Sequence, residues 1–155
     1  MFSLFNRFFI LFCSYYIFMA HSNQDIIRHF FEAYGKRDME GIKLVMDKRV
    51  QWIIPGHHPL SGTKTGIDEV VALFDAMGGV MSKSNIRVEN LVTAENDEYV
   101  VECQHIITNR EDGNNLDHYW SVLWSFKDGK IIEGRHLASD QHAADSFFCK
   151  VLLIS

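Results

Sequence analysis

Hydrophobic and polar residues alternate strictly between Asp117 and Phe126, which is the pattern of a half-buried antiparallel strand. The residues that share the apolar face are His118, Trp120, Val122, Trp124 and Phe126. The Asp128-Gly129 pair that follows predicts a tight hairpin, because such turns need a positive φ that glycine adopts without a Cβ clash. The chain should therefore return along residues 131–138. The inward positions of that return strand are Ile132, Gly134, His136 and Ala138.

Three earlier stretches have the spacing of amphipathic helices. The first should begin at Ser22 or Asn23, which are good N-caps, and stop at Gly35. A second, shorter helix is predicted from Asp38 to Met46. The third should open with a capping box over residues 65–68 and stop at the glycine pair 78–79.

Three further stretches are predicted to be strands, namely residues 50–55, 86–92 and 99–108. In the last of these, Val101, Cys103, His105 and Ile107 share one face, and we expect this face to point inward with His118 and His136. Residues 57–62 are predicted to be a loop. Helices followed by hairpin-linked strands indicate an α+β fold, with three N-terminal helices covering one face of an antiparallel sheet.

Composition and charge narrow the functional classes. The chain has 155 residues and a formal net charge of -5, which fits one domain and argues against nucleic acid or an anionic membrane as a partner. The three cysteines are widely spaced and form no Cys-x-x-Cys pair, so neither a zinc site nor a redox motif is predicted.

Residues 1–22 differ from the rest, since a single arginine precedes an apolar run that is too short for a stable membrane span. Two interpretations stay open. A secretory signal peptide would place the protein outside the cell or in the periplasm. An over-extended start, with translation from Met19, would leave it in the cytoplasm. The folded domain is predicted over residues 23–148, followed by an apolar tail at 149–155.

Two segments carry a family resemblance. The Trp-Ile-Ile-Pro-Gly run at 52–56, followed by Gly62 and Gly66, resembles a motif of SnoaL-like, polyketide-cyclase-type domains. These domains belong to the nuclear transport factor two-like superfamily, which also includes ketosteroid isomerase and limonene epoxide hydrolase. The hairpin 128–131 and the tail 140–145 resemble the final segments of many such domains.

The resemblance implies a cone, in which a curved sheet of the cystatin-like type wraps its concave face around a pocket for a small apolar molecule. It also implies dimers formed through the outer face of the sheet and chemistry without a cofactor or metal. Because this fold hosts isomerases, cyclases, hydrolases and binding proteins, the likeness is specific for fold and weak for activity.

The catalytic residues of two related enzyme families can be compared with individual positions of this chain. Alignment with limonene epoxide hydrolase places His136 at a catalytic Asp of that family, and its Arg-x-Asp motif falls on Cys103 and His105. Epoxide hydrolysis by that mechanism is therefore not supported. Ketosteroid isomerase needs a Tyr and an acid to stabilise an oxyanion. Tyr34 is the candidate for the first part, whereas no acid is found for the second.

The histidines suggest two kinds of site. His105 and His136 are candidate proton carriers, because imidazole titrates near neutrality, although each could equally be a hydrogen-bonded core histidine. Asp140 either orients His136 or caps a helix that begins at Gln141. A three-histidine metal site is conceivable but is not predicted. Candidate substrate contacts are His118, Trp120, Trp52, Cys103 and His57.

These features lead to alternative functions. The first is cofactor-free acid/base chemistry, such as isomerisation, cyclisation or hydration of a small apolar substrate. The second is a non-catalytic ligand-binding or dimeric scaffold module. A third assigns the role to an N-terminal anchor and leaves the domain inert.

Overall fold

The computed structural model describes residues 22–153. The predicted signal peptide or extended start lies outside this range except for Ser22. Within the described part, no helix is long and apolar enough to cross a membrane. The elements in chain order are α1 (Asn23–Gly35), α2 (Met39–Val45), β1 (Met46–Ile54), β2 (Gly62–Thr65), α3 (Ile67–Ser82), β3 (Arg87–Glu95), β4 (Tyr99–Ile107), β5 (Asp117–Lys127), β6 (Lys130–Ala138) and α4 (Gln141–Leu153).

The strands form a six-stranded sheet with the order β2-β1-β6-β5-β4-β3. The prediction of an α+β fold is confirmed, but the sheet is mixed, because β1 runs parallel to β6. This pairing was missed because the connection from β1 to β6 contains α3 and four strands, of which β3, β4 and β5 are joined by hairpins. The short strand β2 was also missed, since its four residues are mostly polar and lack an alternating apolar pattern.

Helix α1 begins where its N-cap candidates predict. The side-chain oxygen of Ser22 accepts from the Asp25 backbone N–H, and the Asp25 carboxylate accepts from the Ser22 N–H, which completes a capping box. The helix buries Ile26, Ile27 and Phe30 against the body of the domain. This N-terminal cap keeps Ser22 with the folded domain rather than with the segment before it.

The predicted bounds of α3 were wrong at both ends. Gly66, not Thr65, is the N-cap, and the Glu69 carboxylate accepts from the Thr65 backbone N–H at 2.8 Å. The helix also continues through the glycine pair to Ser82. Val80 beyond that pair is buried, and its packing outweighs the low helix propensity of glycine. The extra turn places Met81 beside the interior cavity.

Strand pairing decides which side chains face the helices. A register shift between Ser125 and Phe126 pairs Phe126 with Ile131, so that Ile131 is fully buried where Ile132 was predicted to be. The edge strand β3, which was predicted over residues 86–92, is mostly exposed and contains no buried residue. The inner face of the sheet is therefore built mainly by β1, β6, β5 and β4.

Helix α4 closes the domain after the last strand. Asp140 accepts from the Ala143 backbone N–H at 3.0 Å, so the capping interpretation of this residue is confirmed. The helix runs past residue 148, and Phe147, Phe148 and Val151 are buried. The first residues of the predicted apolar tail thus continue a helix that packs on the body.

Candidate functional site

A cavity of about 220 Å³ lies between the inner face of the sheet and the helices. Twelve of its lining residues are apolar or aromatic and three are polar. The aromatic members are Phe31, Trp52, Phe74, Trp120, Trp124 and Phe148, and the aliphatic ones are Met77, Met81, Ile86, Ile106, Leu116 and Val122. The polar members are Glu102, Gln104 and His136. An apolar chamber with a few polar groups is the usual form of a small-molecule site.

His136 is the polar centre of the cavity wall. The residue is 4 % exposed, and its ring lies between two indoles. The Trp52 Nε1–H donates towards His136 Nε2 at 2.9 Å, and the Trp120 Nε1–H donates towards His136 Nδ1 at 2.8 Å. Both indole rings stand steeply against the imidazole, at 71° and 89°. The predicted inward placement of Trp120 and His136 is confirmed, and Trp52 lies beside them.

Glycine at position 134 makes room for the Trp52 ring. Gly134 is the cross-strand partner of Trp52 in the parallel β1–β6 pair. A Cβ built on Gly134 would overlap the six-membered ring of Trp52. The indole therefore lies directly over the β6 backbone, and this position brings its N–H to the imidazole two residues further along β6.

Burial keeps His136 neutral. Desolvation, together with the nearby His58, lowers the pKa of His136 to about 3. An imidazole with this pKa is uncharged at neutral pH and is a weak base. His136 is therefore a fixed hydrogen-bonding group in the free protein, which changes the role expected from the sequence.

Glu102 and Gln104 reach the cavity from β4, and both were missed by sequence reasoning. Among the described residues that line the cavity, Glu102 carries the only carboxylate, which accepts from the Trp124 Nε1–H at 2.8 Å. Gln104 pairs across the strands with Trp120. Both strand faces of β4 are rich in apolar residues, so alternation alone does not show which face points inward.

His105 and Cys103 lie on the outer face of the sheet, because the face of β4 that points inward is the opposite of the predicted one. His105 stacks on Tyr119 with ring centroids 4.6 Å apart, and its Nε2 lies 2.6 Å from an Asp117 carboxylate oxygen. The Cys103 sulfur accepts from the Ser121 hydroxyl at 3.2 Å. The prediction that these two side chains face the cavity was wrong, and they are not part of the candidate site.

Four other predicted site residues lie outside the cavity lining, namely Tyr34, Asp140, His57 and His118. The Tyr34 hydroxyl donates to the Asp75 carboxylate at 2.6 Å near the surface, away from the cavity. Asp140 caps α4 and does not contact His136, whose ring nitrogens face the two indoles. The His57 side chain is almost fully exposed, beside Asp145 of α4.

Two further histidines are buried behind the cavity wall. His118 lies on the inner face, as predicted, with its ring edge-on to Trp120. His58 stacks on Phe148, and its Nδ1 accepts from the Leu60 backbone N–H. Among the described residues, the Nε2 atoms of both rings lack a partner. Desolvation lowers the pKa of each histidine.

Residues 22–153 contain no group of three His, Cys, Asp or Glu side chains arranged to hold a metal ion. The polar groups of the cavity are a carboxylate, an amide, an imidazole and indole N–H groups. Such a set is suited to hydrogen bonding and proton transfer with an organic guest.

An α+β cone with an apolar cavity of this kind defines a class of small-molecule-binding domains. Residues 27–134 match the model of the SnoaL-like domain. The chain belongs to this family, which confirms the resemblance seen in its sequence. An uncharacterized protein of Mycobacterium tuberculosis, Rv0034, is 26% identical over 125 residues, which cover 80% of this chain and 94% of that protein.

Solved structures share the fold. An NTF2-like protein of Burkholderia xenovorans superposes with a TM-score of 0.65 at 23% identity, covering 81% of this chain and 95% of that one. The protein TerC, co-crystallized with polyporic acid, superposes with a TM-score of 0.62 at 22% identity, covering 81% of this chain and 97% of its own. These similarities support the predicted nuclear transport factor two-like architecture.

Proposed function

We propose that the protein binds a small, neutral, largely apolar organic molecule in the cavity and moves a proton on it without a cofactor. The observation that carries this proposal is the presence of Glu102 and His136 in a chamber whose other lining residues are apolar except for Gln104. The reaction class is isomerisation, cyclisation or hydration. The co-crystallization of the structurally similar TerC with polyporic acid is consistent with a small-molecule ligand.

Glu102 and His136 stand in one row across the sheet. Val122 on β5 pairs with Glu102 on one side and with His136 on the other. Neighbouring strands are about 4.8 Å apart, so the two backbones are separated by roughly 10 Å. Side chains projecting from both ends of this row face the same cavity, and a guest lying against Val122 would be within reach of both.

The two residues have different parts in the proposed reaction. Glu102 acts as the general base and takes a proton from a carbon next to a carbonyl group of the guest. The electron pair of the broken C–H bond moves to the carbonyl oxygen and forms an enolate. His136 is too weak a base to share this role, since its pKa is about 3. His136 instead donates a hydrogen bond to the oxygen of the guest, for which a neutral imidazole is suited.

Deuterium exchange tests the proton transfer. The probe is 1-indanone, a small two-ring ketone, incubated in D₂O with the protein and followed by proton NMR at its α-carbon. We expect the wild type to accelerate exchange and Glu102→Gln to lose about 100-fold or more of that acceleration, which is the lower range for a general base. The control is Glu89→Gln, an exposed glutamate on β3.

The alternative is a binding module, and it is favoured by the low pKa of His136, which removes one of the two predicted proton carriers. A module would bind the ketone without accelerating exchange, and Glu102→Gln would then bind it as the wild type does. Equal exchange rates in the wild type and in Glu102→Gln would contradict catalysis by this carboxylate.

We also infer a homodimer formed through the outer face of the sheet. Val92, Cys103, Ser121 and Leu137 pair in one row across four strands, with the exposed Tyr119 beside it. Val92, Tyr119 and Leu137 are about half exposed in one chain, and a second copy would bury them.

A charge on this face should separate the two subunits. We expect Leu137→Glu to convert the dimer to a monomer in sedimentation velocity, because an unpaired carboxylate would be desolvated in the interface. The control is Leu44→Glu, since Leu44 is exposed on α2 away from the sheet face. A monomeric wild type at micromolar concentration, or a Leu137→Glu variant that remains a dimer, would contradict the inference.

A further inference from the structure

The contact between His136 and its two indoles contains more donors than acceptors. Trp52 directs its N–H at one ring nitrogen and Trp120 directs its N–H at the other, at 2.9 and 2.8 Å. An indole nitrogen can only donate a hydrogen bond. A neutral imidazole has one N–H donor and one acceptor lone pair. Whichever tautomer is present, one indole N–H therefore faces an imidazole N–H.

A charged form of the ring does not resolve this conflict at an acceptable cost. An imidazolium would present two N–H groups and conflict with both indoles, and burial together with His58 lowers the pKa of His136 to about 3. An imidazolate would accept from both indoles but would be an anion in an apolar wall, which is costly without a paired cation. Trp52, Trp120, Phe148 and the neighbouring His58 offer no such cation. One indole and the imidazole thus share a surplus of N–H groups.

We propose that the natural guest of the cavity carries a neutral carbonyl oxygen, and that this oxygen accepts from His136 and from one of the two indoles. This inference rests on the proposed binding of a small molecule in the cavity, but not on the proton transfer. A carbonyl oxygen has two lone pairs and can accept from both groups after a small rotation of one ring. Both N–H groups are then hydrogen-bonded, whereas without a guest one of these buried donors is unpaired.

The other walls of the cavity select against a carboxylate or phosphate guest. An anion would be desolvated among twelve apolar residues, and it would share the chamber with the Glu102 carboxylate. A pure hydrocarbon would fit the walls but would leave the surplus N–H group unpaired. Ketones, quinones, esters and lactones combine an apolar body with the required oxygen.

The size of the cavity limits the guest to roughly two small rings, since a cavity of about 150 Å³ accommodates benzene. We therefore compare 1-indanone with indane, which has the same fused rings and lacks the oxygen. Simple burial of apolar surface favours indane. The carbonyl site predicts the opposite order, with 1-indanone binding about tenfold more tightly.

The three tryptophans of the chain provide the measurement, because all of them line the cavity. A ¹H–¹⁵N NMR titration of the wild type follows three indole N–H signals with each compound. We expect 1-indanone to shift the signal of Trp52 or Trp120 downfield, as a new hydrogen bond does, whereas indane should move it little. In Trp52→Phe or Trp120→Phe, whichever removes the indole that shifted, the preference for the ketone should fall to about threefold or less.

Trp124→Phe is the matched control, because Trp124 also lines the cavity but donates to Glu102. It should change both affinities by similar factors and preserve their ratio. The proposal is overturned if indane binds as tightly as 1-indanone with unmoved indole signals, or if neither compound binds to a protein whose spectrum is that of a folded chain. Ketone preference without deuterium exchange supports the carbonyl site and counts only against the catalytic role of Glu102. Exchange without ketone preference supports the catalytic role of Glu102 and contradicts the carbonyl site.

Discussion

Gly134→Ala is expected to lower the free energy of unfolding by about 3 kcal/mol and to abolish binding in the cavity. The added methyl group would occupy the space of the Trp52 ring, which is 1 % exposed and cannot move outward. Overpacking of a buried site typically costs about 1–3 kcal/mol. Displacement of this ring also removes its donation to His136 and its edge contacts with Phe74 and Trp124. Urea unfolding followed by tryptophan fluorescence measures the loss.

Gly79→Ala is the control for this substitution. Gly79 lies on an exposed face of α3, and apart from its chain neighbours and the nearby helix backbone no heavy atom of the described residues would lie within 4 Å of its new Cβ. Alanine there should be neutral or stabilise the protein by about 0.5–1 kcal/mol, because it favours the helix. If Gly134→Ala were as stable as the wild type, Trp52 would not be fixed over β6 as described.

Acidification below pH 6.5 is expected to destabilise the protein steeply. The pKa of His136 is lowered to about 3 in the folded chain, from an ordinary value of 6.5. The unfolded chain therefore binds a proton that the folded chain does not, and the stability is complete above pH 6.5. It falls as the pH drops from 6.5 towards 3, by about 1.4 kcal/mol per pH unit for this residue.

His58 and His118 add to the same trend, because desolvation lowers the pKa of both, although Asp145 and Asp140 oppose these shifts. Urea unfolding at several pH values between 7.5 and 4.5 measures the combined slope. In His136→Gln the slope should be smaller by about one proton, since glutamine does not titrate. A wild-type stability that is flat between pH 6.5 and 5 would contradict the neutral, buried state of these rings.

The parts of the fold that have one strong hydrophobic pattern could be predicted from the sequence alone. The β5–β6 hairpin, with its inward Trp120, Trp124 and His136, follows from strict alternation and an Asp-Gly turn. Helix α1 follows from its caps and its single apolar face. In such segments local preference and tertiary burial agree, and each feature can be read without knowing its partner.

The errors lie where local patterns are ambiguous. Strand β4 has apolar residues on both faces, and its inward side is fixed only by the pairing of Glu102 with Val122 and Gln104 with Trp120. That register depends on how the loop at residues 108–116 closes, and a change of one residue would exchange the two faces. This is why His105 and Cys103 were predicted inside and Glu102 was missed.

The environment of His136 could not be predicted from its sequence neighbours. Its contacts come from Trp52 on β1 and Trp120 on β5, which are 84 and 16 residues away along the chain. The parallel β1–β6 pairing that brings Trp52 there has no local signature. The low pKa of His136 follows from this enclosure, so the hydrogen-bonding role proposed for it in place of proton transfer rests on the tertiary structure.

A crystal structure of the wild type with 1-indanone tests the central claim most directly. We predict one guest in the cavity, with its carbonyl oxygen about 2.7–3.2 Å from a ring nitrogen of His136 and from the Nε1 of Trp52 or Trp120. A guest bound elsewhere on the molecule would contradict this account, as would a guest in the cavity whose oxygen points towards Met77 and Met81.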